Sequence, residues 1–414
     1  MRRAGPALAW IVGMFVAATA RGDGFDAIDQ HALRAPAAAE TSIPDLAAYL
    51  IAPARNDTER ARAVFRWITD RITYDVDVLR GGPAVYEGPE TVLQTRRSIC
   101  RGYAGLFEDL ARAAGLEAAT ISGYGKAYGY TAGDRFTGPA DHAWNAVRRR
   151  GEWQLLDCTW GAGWVDEKGE YQRGFDEHYF LTPADRFIWD HFPTDERWQL
   201  LDPPLTLAEF ERRVVLHSVF FHRGLHDPSR TDAILRADDE LRLTLGAPPG
   251  IAVSARLSRD GRPLDETLVL AQRTGSRLEI RALPPGAGTY LLDVFAGRAG
   301  EPQYEWAMQY RVVTPPNGGG AERYPEILGS FHAREATLES PFTGRLRAGG
   351  RETFRLRVPA AEKAAAVQGD TWTPFARRGE VFDGPVDVTP GELLIVAKFP
   401  GEEDYDVLLR YIAE

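Results

Sequence analysis

Between Ser98 and Gly115 the sequence leaves room for little besides one buried α-helix. Tyr103, Leu106, Phe107, Leu110, Ala111 and Ala114 recur at the i, i+3, i+4, i+7 spacing of a single helical face. Ser98 is of the type that caps a helix at its start, and Gly115 of the type that stops one. Cys100 lies one turn before Tyr103 on the same face, so its thiol is expected at the first turn, pointing inward along the apolar stripe. An earlier helix, capped by Asp57 and running from 58 to about 71, carries a core stripe of Ala61, Val64, Phe65, Ile68 and Ile72.

Strand signals follow the cysteine helix. Residues 118–124 form one candidate strand, and 142–147 and 153–160 two more, split by the polar turn 148–152. A loop rich in Gly and Tyr, 125–141, lies between. Helix before antiparallel strands is an α+β pattern. From about Asp238 short alternating strands take over, at 241–245, 251–257, 278–283 and 290–295, and the all-β texture runs to Glu414. The stretch 315–320, Pro315-Pro316-Asn317-Gly318-Gly319-Gly320, reads as a linker. A Gly-led strand at 288–295 followed by Tyr304 and Tyr310 is echoed by one at 391–399 followed by Tyr405 and Tyr411, as two β-sandwich modules would give. The expected organisation is a lead-in at 21–44, an α+β domain at 45–228, and β-sandwich modules at 236–315 and 321–414.

A thiol at a helix N-terminus meets unsatisfied N–H groups and the positive end of the helix dipole, which favour thiolate and can hold an oxyanion. If the hairpin turn centres on Arg149 and Arg150, facing residues have numbers that sum to 299, and His142 faces Asp157. Facing residues share a face with Cβ atoms about 5 Å apart, close enough for a carboxylate to hold an imidazole by one nitrogen and leave the other for a thiol. Trp144 then faces Leu155, and Ala146 faces Trp153. Cys158, one residue beyond Asp157, is expected on the opposite face as a core thiol that does not bridge Cys100. The order Cys, His, Asp is what separates this set from three unrelated core residues.

The residues carrying these positions resemble the transglutaminase-like superfamily, and within it the kyphoscoliosis peptidase group. The matching blocks are Cys100-Arg101-Gly102-Tyr103-Ala104, Gly123-Tyr124, Asp141-His142-Ala143-Trp144-Asn145-Ala146-Val147 and Trp153-Gln154-Leu155-Leu156-Asp157-Cys158-Thr159-Trp160-Gly161. Further on lie Tyr179-Phe180-Leu181, His191-Phe192-Pro193 and Trp198-Gln199-Leu200-Leu201. The resemblance implies a papain-like α+β core, a triad of Cys100, His142 and Asp157, and acyl transfer from an amide of a protein or peptide through a thioester. Arg101 and Cys158 depart from the residues usual at those positions, but neither is a triad member.

Around the triad, Trp144 and Trp160 either line a substrate groove or pack, Tyr124 and Tyr128 border the cleft from their loop, and Gln94 has the spacing of an oxyanion glutamine, six residues before the cysteine. His178 and His191 are assigned structural roles. Three functions stay open: hydrolysis of the amide, favoured by the resemblance; cross-linking to an amine; and a silent fold that binds, with the β modules contacting a cell envelope.

Composition narrows the partners. A formal net charge of -10, spread along the 414 residues, argues against nucleic acid. Two cysteines give no disulfide framework or cysteine-rich metal site, and no cofactor or metal is expected. Arg2, Arg3, the short apolar run 7–17 and Ala18-Thr19-Ala20 read as an export signal over 1–20, so the mature chain is expected in the periplasm or outside the cell, with no transmembrane segment.

Overall fold

The computed structural model describes residues 24–414 apart from 79, 83–87 and 167. The expected export signal, 1–20, lies outside the described residues. No helix among the described residues is long and apolar enough to cross a membrane. The chain divides between Glu211 and Arg212, earlier than the expected domain end at 228, because Val215–Leu216 already pairs with a strand of the β region.

In the first unit, the stretch read as a lead-in folds into the core. Helix α1 (Asp26–Leu33) buries Ile28 and Ala32, and α2 (Ile43–Leu50) starts on the Ser42 hydroxyl, which accepts from Asp45 N–H at 3.2 Å. Arg62 of α3 (Asp57–Arg71), only 3% exposed, forks onto Asp29 of α1 at 2.7 Å and also holds Glu177. The α3 cap is Asn56 rather than Asp57: its Oδ1 accepts Glu59 N–H at 3.0 Å while the Glu59 carboxylate accepts Arg55 N–H, a reciprocal capping arrangement.

Strand β1 (Thr73–Tyr74) runs parallel to β2 (Arg97–Ser98), and α4 (Pro89–Thr95) lies between them in sequence. Because Ser98 is drawn into this pairing, it does not cap the next helix. That helix, α5 (Cys100–Ala113), follows Ile99, which contributes no side-chain cap. Its far end is as the sequence predicts: Gly115 has φ +79°, and Leu116 N–H returns to Ala111 O at 2.9 Å. Helices α2, α3 and α4 pack on α5, and the sheet packs against it from β3 (Ala118–Gly125) and β4 (His142–Arg149). Asn145, fully buried on β4, bolts the two layers together by donating to Ala104 O of α5 at 2.9 Å.

The hairpin from β4 to β5 (Glu152–Leu156) differs from the expected register. Facing pairs run from Arg149–Glu152 to Asn145–Leu156, so their numbers sum to 301, not 299. The turn centres on Arg150 and Gly151, both at positive φ (52° and 89°), the left-handed pair that a two-residue hairpin requires and that glycine accommodates. The third strand ends at Leu156, and the 157–160 stretch turns away into a 3₁₀ helix at Trp160–Ala162. A small hairpin, β6 (Gly163–Val165) with β7 (Tyr171–Arg173), precedes β8 (His191–Pro193). The main sheet is antiparallel in the order β5-β4-β3-β8.

The second unit, Arg212–Glu414, is built from sheets as the sequence predicts. In the first module Gly288–Arg298 pairs with Ile251–Arg259 and Glu305–Thr314, while Leu241–Gly246, Arg277–Ala282 and Val269–Thr274 form the second sheet. In the second module Gly391–Lys398 pairs with Lys363–Gln368 and Asp406–Ala413, opposite a sheet containing Arg351–Arg357 and Val381–Asp387. Phe331, Phe354, Phe382, Ile395 and Tyr411 fill its core. The echo in sequence is an echo in structure: both Gly-led strands bulge, between Val294 and Phe295 and between Ile395 and Val396. Tyr310 and Tyr411 are buried in the partner strands, whereas Tyr304 and Tyr405 precede those strands instead of sharing them.

The stretch read as a linker is laced to the first module. Gly319 N–H donates to Asp238 O at 2.6 Å and Gly320 N–H to Pro284 O at 3.3 Å. A Cβ on Gly319 would stand 2.5 Å from Gly286 N. Beyond it, Gln272 of the first module donates to Leu338 O at 3.2 Å and accepts from Leu338 N–H at 2.9 Å in the second.

Candidate active site

Cys100 opens α5 and is 8% exposed, so its thiol sits at a helix N-terminus just below the surface, against Ala104 and Ala143. Its sulfur points toward Asp141 O at 4.0 Å, at the corner where β4 begins. That corner is pinned: Asp141 N–H donates to Gly123 O at 3.0 Å, and the Asp141 carboxylate accepts Gly125 N–H at 3.1 Å. His142 follows at the start of β4.

The His142 ring meets Asp157 through Nε2, 2.6 Å from Oδ2. The contact survives the register error because a slip of two residues preserves the face, whereas a slip of one would have reversed it. Asp157, fully buried, sits just past the end of β5, where it reaches back to the first residue of β4. Its other oxygen, Oδ1, accepts Thr159 N–H at 2.6 Å and Trp160 N–H at 3.1 Å, and this turn is what ends the strand.

Burial alone would lower the His142 pKa, but the Asp157 charge and hydrogen bond, with a further hydrogen bond to Cys100, raise it to about 10. Burial alone would raise Asp157; His142 and His191 together hold it below the usual carboxylate range. With Nε2 committed to Asp157, Nδ1 is the ring nitrogen left for the thiol.

His191 is the residue that spacing did not reveal. It lies on β8, fully buried, with Nε2 3.0 Å from the same Oδ2 and Nδ1 2.6 Å from Asp190 Oδ1. The register explains the meeting: His142 faces Gly123 and His191 faces Gly125, so both histidines flank one side of β3 where it has no side chains.

The ligand atoms of His142, Asp157 and His191 lie within 4.8 Å of one another. The spacings of 2.6 and 3.0 Å are hydrogen bonds; ligands about 2.0–2.1 Å from a tetrahedral zinc would stand roughly 3.3 Å apart.

The family model described as "Transglutaminase-like superfamily" matches residues 44–158, which contain all three residues of the expected triad. A second, "KY-like, immunoglobulin-like domain", matches 207–317. The chain is 35% identical to the Kyphoscoliosis peptidase of Mus musculus over 62% of its own length and 38% of that protein's. With the Homo sapiens Kyphoscoliosis peptidase it is also 35% identical, over 66% of its length and 40% of the relative's. This chain carries a transglutaminase-like domain of the kyphoscoliosis peptidase-like group. Hillarin of Drosophila melanogaster is 32% identical over 68% of the chain and 37% of that protein. The chain therefore spans about two fifths of the length of these curated relatives.

Around the triad positions of this transglutaminase-like domain, Trp160 is half-buried and lies over the His142 ring with centroids 5.1 Å apart. Trp144 is 1% exposed and belongs to the core behind the site, 5.8 Å from His142, so it packs and does not line a surface groove. Tyr124 stacks toward Phe136 and donates to Gly138 O at 3.1 Å, bracing the Gly-rich loop. Tyr128 is exposed on that loop, and Gln94 is exposed on α4, whose buried side presents Val92 and Leu93 instead. Cys158 is a buried free thiol in the main core rather than a strand residue, and burial, with the nearby Asp157 charge, pushes it well above the usual thiol range. Tyr74 of β1 also escaped the sequence reading: burial first, then the charges of Cys100 and Asp157, keep its hydroxyl protonated at the site.

Proposed function

We propose that this chain is a thiol enzyme that breaks amide bonds in a protein or peptide, with Cys100 as nucleophile, His142 as base and acid, and Asp157 as the group that orients His142. The observation that carries the reading is the 2.6 Å bond from His142 Nε2 to a buried, fully hydrogen-bonded Asp157, beside a thiol at a helix N-terminus. His142 relieves Cys100 of its proton, and the sulfur attacks the amide carbonyl. The Cys100 N–H and the positive end of the α5 dipole hold the oxyanion. The C–N bond breaks as His142 passes the proton to the leaving amine, leaving a thioester on Cys100. Water then attacks, gives a proton to His142, and the C–S bond breaks to release the acid and restore the thiol.

Two relatives bear the word peptidase in their names, which supports water over an amine as acceptor. Export through residues 1–20, and contact of the β modules with a cell envelope, belong to the same proposal; cell fractionation with N-terminal sequencing of the mature chain tests the first.

The decisive experiment compares wild type with Cys100→Ala in a mass-spectrometric screen of a denatured protein mixture plus a biotinylated primary amine. New cleaved termini that vanish in Cys100→Ala support hydrolysis. Amine incorporation supports cross-linking. Identical products from both proteins sink the enzymatic reading and leave a binding fold.

A further inference from the structure

The Asp157 carboxylate has no spare acceptor position. Oδ1 takes the N–H groups of Thr159 and Trp160, while Oδ2 faces both His142 Nε2 and His191 Nε2. Two of the four contacts come from backbone and cannot be withdrawn without unfolding the turn. The fourth comes from a side chain on another strand, and that side chain has its own anchor.

Asp190 supplies the anchor. It is 3% exposed; Oδ1 faces His191 Nδ1 at 2.6 Å, and Oδ2 accepts the Tyr179 hydroxyl at 3.2 Å. Tyr179 in turn lends its backbone oxygen to Asp157 N–H at 2.9 Å, which closes the ring of contacts. A carboxylate oxygen accepts, so the His191 ring is gripped at both nitrogens, by Asp190 on one side and Asp157 on the other.

The ring is also fixed as a plate. Phe187 stacks on it with centroids 4.0 Å apart, Trp160 tilts against it at 4.3 Å, and Trp144 meets it edge-on at 5.0 Å. The titratable groups facing it are Asp157, Asp190, Tyr179 and His142.

We infer that His191 is a positioning residue: clamped by Asp190, it donates to Asp157 Oδ2 and so fixes the carboxylate that orients His142. The reaction it serves is the proposed thiol chemistry, on which its catalytic consequence rests. Its structural claim stands apart from that chemistry, because it is read on His142 without any substrate. The rival role for a ring so enclosed is packing alone.

Two variants of the full chain separate these roles. His191→Phe keeps the ring stack and removes both donors. His191→Gln loses the ring but keeps an amide donor that reaches Asp157. The readout is the His142 Nε2–H proton, whose slow exchange with water reports the hydrogen bond to Asp157, followed by ¹H–¹⁵N spectroscopy of the ring nitrogens and assigned with His142→Gln. Positioning predicts that His191→Phe speeds this exchange by about tenfold or more, while His191→Gln stays within about threefold of wild type. An unchanged exchange rate in His191→Phe overturns the inference. So does a glutamine variant that loses the slow exchange or the fold, since the ring itself is then what matters. Should His191→Phe fail to fold, a folded His191→Gln with the wild-type exchange rate supports the inference.

Discussion

The imidazoles of His142 and His191 lie with centroids 5.2 Å apart although their strands are separated by β3. Neighbouring strands sit about 4.8 Å apart, so side chains two strands away ordinarily have another side chain between them. Gly123 and Gly125 are the residues opposite the two histidines; a Cβ on Gly125 would crowd the His142 ring, while one on Gly123 would meet Trp144 and the β8 backbone.

Gly125→Ala tests this directly. A Cβ there would stand 3.2 Å from Trp160 Cζ2 and 3.3 Å from His142 Cβ and Cδ2. The expected cost is about 1–3 kcal/mol in urea unfolding, from overpacking. Slower alkylation of Cys100 by iodoacetamide should accompany it, as His142 is pushed from its place. Wild-type stability and alkylation together would mean that the rings do not need the glycine.

Asp157→Asn should leave the fold intact and remove the anion that holds His142. Turnover of any substrate found by the screen should fall by about 10²–10⁴-fold. The His142 midpoint, raised to about 10, should drop back toward its ordinary 6.5. Retention of the high midpoint in the asparagine variant would show that another group sets it.

The same pair makes a signed statement about pH. His142 is raised from 6.5 to about 10 in the folded chain, so its contribution is complete below 6.5 and fades as pH climbs to about 10. Asp157 is depressed from its ordinary 3.8, so its contribution is present above 3.8 and is lost as pH falls below it. The melting-temperature difference between wild type and Asp157→Asn should therefore be largest between about pH 4 and 6.5, and shrink on both sides. A difference that kept growing toward pH 10 would contradict the pairing.

Gln272→Ala should destabilise the β region alone. Gln272 is 3% exposed, and its loss leaves the buried N–H and C=O of Leu338 without partners. The expected cost is about 1–3 kcal/mol. Calorimetry should show a lowered transition for the β region with Cys100 alkylation unchanged; equal stability would mean that water replaces the amide at no cost.

Much of this was legible because periodicity reports burial. The α5 stripe and the Gly115 stop are local signals, and so are the alternating strands. The meeting of His142 with Asp157 was legible because face parity tolerates an error of two. The two helix starts were misread for a local reason: Asn56 and Asp57 are both capping residues, and only the Glu59 carboxylate, accepting Arg55 N–H, decides between them. Ser98 was claimed by a strand whose partner, β1, is 24 residues earlier. His191 could not be found from spacing, because it reaches Asp157 across 34 residues and through a strand order that hydrophobic pattern leaves undetermined. The dipeptide Asp190-His191 was the available signal, and it gains meaning only when β8 is set beside β3.

The segment rich in proline and glycine between the two sandwiches was composed like a tether, yet its amides are sewn to the first sandwich and Gln272 grips the second. Tension applied at the last strand would therefore have to break these bonds before any slack is drawn out. A protease probing for a hinge at 315–320 would meet backbone amides already committed to the first sandwich.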